Sequence, residues 1–178
     1  MNYSLPPQSL DDVFKLQLKT PTGRNVLERF LPQLTSKRTL IEAYPIEIQN
    51  RLREVLEPGQ PIGACFTTDG KVGQIHFDPR SSLGVLAPFL LHEMVHALDE
   101  NLWRLAERSS VTRLVRDRAM LKAEVAAFTA QRRFIEELTG RDLAYQHFLE
   151  AEFPRARILN ERLTETDLVE LYGFKIAQ

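Results

Sequence analysis

Cysteine is nearly missing from this chain. Cys65 is the only one in 178 residues, so no disulfide can close within it and a stapled, disulfide-framed fold is excluded. An excess of basic charge is missing too. Lys and Arg number 23 against 24 Asp and Glu, a net charge of −1, and a nucleic-acid footprint would need a basic surplus. No apolar run is long: residues 85–91 are interrupted by Pro88 and fall far short of the ~20 residues that span a bilayer, so no membrane partner is expected. The start, Met1-Asn2-Tyr3-Ser4-Leu5-Pro6-Pro7, has no basic region ahead of an apolar stretch. No secretory signal is expected from it, and the cytoplasm is the default location, with non-classical secretion left open. Internal repeats, low-complexity tracts and interdomain linkers are also absent.

What is present is an ordinary globular composition, 43% hydrophobic and 26% charged, which suits one domain with a real core. The expected fold class is α+β and mostly helical, with a small β-hairpin or sheet packed on a long helix. Residues 1–60 read as an N-terminal helical part, 61–138 as hairpin plus two long helices, and 139–178 as a C-terminal helical part.

In order, Ser9 caps a helix with acids in its first turn, ending near Thr20-Pro21. Residues 23–31 form a second amphipathic segment. Residues 40–44 fit either strand or helix. Residues 46–56 read as a helix stopped by Glu57-Pro58-Gly59. Residues 62–68 and 71–78 flank Asp69-Gly70, a tight-hairpin signal because both turn residues tolerate positive φ. A long helix is expected over 85–106, with Pro88 in its first turn and Leu91, Val95, Leu98 and Leu102 as a core stripe. Another covers 111–138 and stops at Gly140; helical patterns continue over 141–153 and 158–171, divided by Pro154.

The chemistry concentrates in Leu90-Leu91-His92-Glu93-Met94-Val95-His96. On a helix, positions i and i+4 share a side, so His92 and His96 can aim two imidazole nitrogens at one point. Two imidazoles begin a tetrahedral zinc site, and Glu93, offset around the helix, is placed to act on water rather than on the ion. A catalytic zinc takes three protein ligands and keeps one open position. Glu124 is the candidate third ligand: its helical neighbours Met120, Leu121, Ala127 and Phe128 are apolar, and a carboxylate in such a stripe needs a partner. The bland alternative for a helical glutamate is a solvated face.

Other residues compete for lesser roles. Asp99, three residues after His96, and Gln131, on the Glu124 face, are candidates to support the ligands; ordinary polar helix positions are the alternative. His147 and Tyr172, with Tyr145, Arg132, Arg133, Arg155 and Arg157 behind them, are candidates to stabilise transition-state charge. His76 and Cys65 are weaker ligand candidates, the first an exposed strand histidine by default and the second a small hydrophobe.

His92-Glu93-Met94-Val95-His96 followed by Glu124-Val125-Ala126-Ala127 resembles a zincin metallopeptidase of the gluzincin type, over roughly residues 75–131. The resemblance implies one Zn2+ per chain held by His92, His96 and Glu124, with Glu93 as general base. It implies a zincin-like domain whose edge strand, residues 73–78 in this reading, pairs with an extended peptide or protein substrate. Many gluzincins carry an aspartate four residues after the third ligand; Phe128 stands there. The expected function is therefore zinc-dependent peptide hydrolysis. A zinc hydrolase of a non-peptide amide, or a non-catalytic metal-binding regulatory module, are the alternatives.

Overall fold

A computed structural model describes residues 2–55, 63–108, 110–152 and 163–176. Among these the chain runs α1 (Leu10–Gln17), α2 (Pro21–Thr35), β1 (Thr39–Ala43), α3 (Ile46–Val55), β2 (Ala64–Thr68), β3 (Gly73–Phe77), α4 (Leu83–Ala97), α5 (Glu100–Glu107), α6 (Arg113–Thr139), α7 (Leu143–Glu152) and α8 (Glu165–Tyr172). The architecture is α+β, mostly helical, with one small mixed sheet. No helix among the described residues is long and apolar enough to cross a membrane. The expected stop at Glu57-Pro58-Gly59, the divider Pro154, Arg155, Arg157 and residues 158–162 lie outside the described residues.

The core is built around α4. All its residues but Phe89 and Val95 are buried, and it contacts α1, α2, α5, α6, α7, β2 and β3. A helix apolar nearly all round belongs inside a core, not on one face of it. The one-sided stripe expected from Leu91, Val95, Leu98 and Leu102 thus understates its burial. Leu86, Leu90, Leu91 and Met94 have no exposed surface, and each contributes about 1.5–3 kcal/mol by leaving water.

A central helix must satisfy its backbone without solvent, and long-range partners do this. Ser82 is the N-cap, but its side chain makes no capping bond. Instead the Leu83 and Gly84 N–H groups donate to the carbonyls of Leu5 and Tyr3, so the N-terminal arm closes the helix start. Pro88 lies inside the helix rather than in its first turn, because α4 begins at Leu83. It has no N–H for the Gly84 carbonyl; the buried Tyr145 hydroxyl donates there instead, at 3.2 Å. Gly84 is needed for a second reason: a Cβ there would lie 2.2 Å from the Phe148 ring of α7.

The expected single helix over 85–106 breaks at Asp99. That residue adopts an extended conformation and its carboxylate accepts from the Asn101 N–H at 2.8 Å, capping α5. The Trp103 indole N–H donates to the Ala97 carbonyl, closing the end of α4. Thr20 caps α2, with Pro21 at its first position, so this helix starts two residues before the expected segment and ends four after it. Ser9 precedes α1 without a side-chain bond.

The hairpin forms, but its connection is four residues, 69–72, rather than Asp69-Gly70 alone. The Asp69 carboxylate accepts from the Lys71 and Val72 N–H groups, and Gly70 takes φ +91°. The ambiguous segment at 40–44 is strand β1, which pairs in parallel with β3. The sheet order is β1-β3-β2. This corrects the expected edge strand: β3 has a neighbour on both sides and has no free edge for a peptide. Among the described residues, β1 and β2 are the edge strands, and of the two β2 is the one that packs on α4.

Candidate metal centre

The i, i+4 spacing on α4 brings His92 and His96 together with their Nε2 atoms 3.0 Å apart. The long helix α6 crosses α4 and brings Glu124 to the same point. Its Oε2 lies 3.3 Å from His92 Nε2 and its Oε1 lies 3.4 Å from His96 Nε2. All three side chains are buried, at 5–6% exposure. They form the one cluster of three or more metal-competent side chains among the described residues.

The donor set fits a cation on two grounds. An ion holding donors tetrahedrally at about 2.1 Å separates neighbouring donors by about 3.4 Å, and the observed separations lie close to that value. The cluster is also under-satisfied. Glu124 Oε2 has no hydrogen-bond partner among the described residues, which is costly for a buried carboxylate oxygen unless something else binds there. Three buried residues can thus hold a metal ion.

Glu124 and His96 stabilise one another's charged forms. Burial opposes ionisation of Glu124, but the adjacent His92 and His96 imidazoles outweigh it and hold the carboxyl at about 2. Burial likewise opposes charge on His96, and Glu124 outweighs that, raising its pKa.

Glu93 sits beside this cluster without joining it. Its Oε2 accepts from the Phe66 N–H of β2 at 2.7 Å. Burial raises its pKa, opposed by His92, His96 and the Phe66 N–H. In an antiparallel ladder alternate residues face the partner strand. Phe66 faces Glu93, so the outer edge of β2 runs past the metal cluster. Sequence patterning had no signal for this contact, because a backbone donor carries no residue signature.

The remaining candidates separate clearly. Tyr172 reaches the centre: its ring is partly exposed and stacks on Phe174, and burial and the nearby Glu124 carboxylate raise the pKa of its hydroxyl. Phe128 packs edge-on against His92, centroids 4.5 Å apart. It holds the imidazole by packing rather than by a hydrogen bond. Asp99 caps α5 through its Oδ1 and acts on His96 only as a nearby charge. Gln131 is buried two turns beyond Glu124, with an unpartnered Oε1. His147 is exposed on α7, opposite the buried face formed by Tyr145, Phe148 and Leu149. Tyr145 is committed to Gly84, Arg132 to Glu136 and Arg133 to Glu137.

His76 stacks on Tyr44, and neither it nor Cys65 belongs to the donor cluster. Burial raises the Cys65 thiol, with Glu93 and Glu124 adding to the shift. Compared with known proteins, the chain matches no family model, no curated protein and no solved structure.

Proposed function

We propose that this chain is a zinc-dependent metallopeptidase with a gluzincin-like centre: His92, His96 and Glu124 hold one zinc, and Glu93 is the general base. The observation that carries the reading is the convergence of three buried donors at near-tetrahedral spacing, with a separately anchored carboxylate beside them. Two imidazoles and one carboxylate suit zinc and leave a coordination position open. Zinc, when bound, supplies Lewis acidity that polarises a carbonyl and acidifies water.

The chain's own groups supply the rest. Phe66 N–H fixes one oxygen of Glu93, leaving Oε1 to take a proton from the attacking water and deliver it to the leaving amine. Burial raises the pKa of Glu93 and so brings its proton affinity nearer the working pH. The Tyr172 hydroxyl, which interacts with Glu124, is the candidate donor to a developing oxyanion. The outer edge of β2, rather than β3, is the place for an extended peptide to pair, through edge groups other than the Phe66 N–H that Glu93 holds and with contacts that depend little on its sequence.

Digestion of a proteome-derived peptide library, with and without chelator, tests the proposal. Chelator-sensitive cleavage, with about one zinc per chain by metal analysis, is the expected result. Metal-free protein, or cleavage that persists in Glu93→Gln, overturns it.

A further inference from the structure

We propose that the groove between α5 and α6 binds an acidic peptide segment, with carboxylates on its rim and an apolar side chain against its apolar lining. The proposal is independent of the metal centre. The groove encloses about 420 Å3. Arg104 and Arg108 stand on its α5 side, and Arg118 and Lys122 on its α6 side. Leu105, Val115 and Ala119 supply its apolar lining.

All four cations are exposed, and none forms an ion pair among the described residues. The neighbouring acids are engaged mainly elsewhere, although Glu100 also feels the Arg104 charge and Asp99 lies on the groove's own lining. Glu100 receives both terminal nitrogens of Arg38, at 2.9 and 3.1 Å. Asp117 accepts from Arg113 Nε and the Lys175 N–H, and Asp99 caps α5. Arg104 and Arg108 gain something from the C-terminal end of α5. Arg118 and Lys122 gain nothing of that kind: they lie one turn apart in the body of α6, where a like-charged pair costs stability. On a chain of net charge −1, four cations around one groove, none of them in an ion pair among the described residues, are a local concentration that folding does not explain.

The shape favours peptide over other polyanions. No aromatic side chain lines the groove, so there is no platform for stacking bases. A concave slot with an apolar lining suits an inserted side chain; a membrane surface or duplex would meet only its rim. Val115, 51% exposed, is left for that side chain to cover.

The test is fluorescence anisotropy with the full chain and a labelled twelve-residue peptide alternating Glu and Leu, at low and physiological salt. Its comparators are the same peptide with Gln for Glu and a single-stranded DNA of equal charge. Saturable binding of the acidic peptide is expected, weakened by salt because exposed charges are screened. R104E/R118E should lose about tenfold or more in affinity, with R104Q/R118Q losing less. The charge-matched control R29E/R51E, on exposed positions of α2 and α3, should bind like the parent. Binding no tighter than the Gln peptide, equal loss in both Glu-substituted double variants, or tighter binding of DNA overturns the proposal. If R104E/R118E does not fold, unchanged binding by R104Q/R118Q does the same. Metal content and cleavage play no part in the readout.

Discussion

The backbone N–H of Phe66 donates to Glu93 Oε2 at 2.7 Å, tying the central helix to the outer edge of β2. This bond gives the carboxylate a fixed orientation beside His92, His96 and Glu124. It also separates two consequences of changing Glu93. Glu93→Gln keeps an acceptor for Phe66 but loses the base; Glu93→Ala loses both. Metal content is expected to survive in each. Peptide hydrolysis should fall by about 10²–10⁴-fold in Glu93→Gln. Only Glu93→Ala should also unfold earlier in urea, by about 1 kcal/mol, because a part-buried N–H is left unpaired. Equal stability of the two variants would remove the structural role assigned to this bond.

Metal binding should be visible as stability. The donors converge only in the folded chain, so an ion that binds there raises the melting temperature with concentration. Calorimetry of chelated protein with added zinc is expected to show this upward shift. His92→Ala, His96→Ala and Glu124→Ala should each abolish or greatly weaken it. A full shift in Glu124→Ala would remove Glu124 from the ligand set.

The legibility of this centre was uneven, for physical reasons. Helical periodicity alone predicts that His92 and His96 converge, since i and i+4 share a face. Glu124 was accessible because its apolar neighbours make a solvated face an unfavourable reading. Asp99 was harder: its proximity to His96 suggested support of an imidazole, but a cap signal at Asp99-Glu100 competed and breaks the helix there. The place of β3 in the sheet depends on parallel pairing with β1, more than thirty residues away, and no local pattern encodes such pairing. The Gly84–Tyr145 and Phe66–Glu93 bonds are likewise long-range and use a backbone group, which has no sequence signature.

Tyr172 is the residue best placed to separate binding from turnover. Its hydroxyl lies near Glu124, yet its ring is partly exposed and Leu168 is the residue that anchors α8 in the core. Tyr172→Phe should leave zinc affinity and stability nearly unchanged. Cleavage should slow by about 10–100-fold if the hydroxyl stabilises developing charge, since loss of one such donor commonly costs about that much or more. Steady-state kinetics should place the loss in kcat rather than KM. An unchanged kcat would leave the aromatic as a packing residue.

The proline in the central helix offers a test of how α4 is held. Tyr145→Phe removes the hydroxyl that donates to the Gly84 carbonyl and should cost about 1–2 kcal/mol. Replacing Pro88 by Ala supplies an N–H four residues after Gly84, so the helix can satisfy that carbonyl itself. The cost of Tyr145→Phe should therefore shrink in a Pro88→Ala background. Chemical denaturation of the four members of this cycle measures the coupling. Strict additivity would mean that the Tyr145 hydroxyl does not substitute for the missing helix bond.

The N-terminal arm is held by Tyr3, whose ring is buried against Tyr145 and whose hydroxyl donates to the Asp142 carboxylate. Lys19 Nζ donates to Asp142 Oδ2 at 2.9 Å and to Tyr3 Oη at 3.1 Å. Burial opposes ionisation of Asp142, but the bonds from Tyr3, Lys19 and the Tyr145 N–H outweigh it and hold the carboxyl at about 2. A carboxyl with a lowered folded-state pKa contributes stability above its unfolded value, near 3.9, and loses it as pH falls towards the folded value. Solvent screening at this partly exposed cluster limits that contribution to about 1 kcal/mol. Asp142→Asn should therefore unfold more easily than the parent at neutral pH, and the gap should close between about pH 4 and pH 2. Because the arm's Tyr3 and Leu5 carbonyls cap α4, loosening it should also raise amide exchange at Leu83 and Gly84. Urea titrations across this pH range and hydrogen exchange at neutral pH measure the two effects. A stability gap independent of pH would assign the loss to packing around Tyr3 rather than to the Asp142 charge.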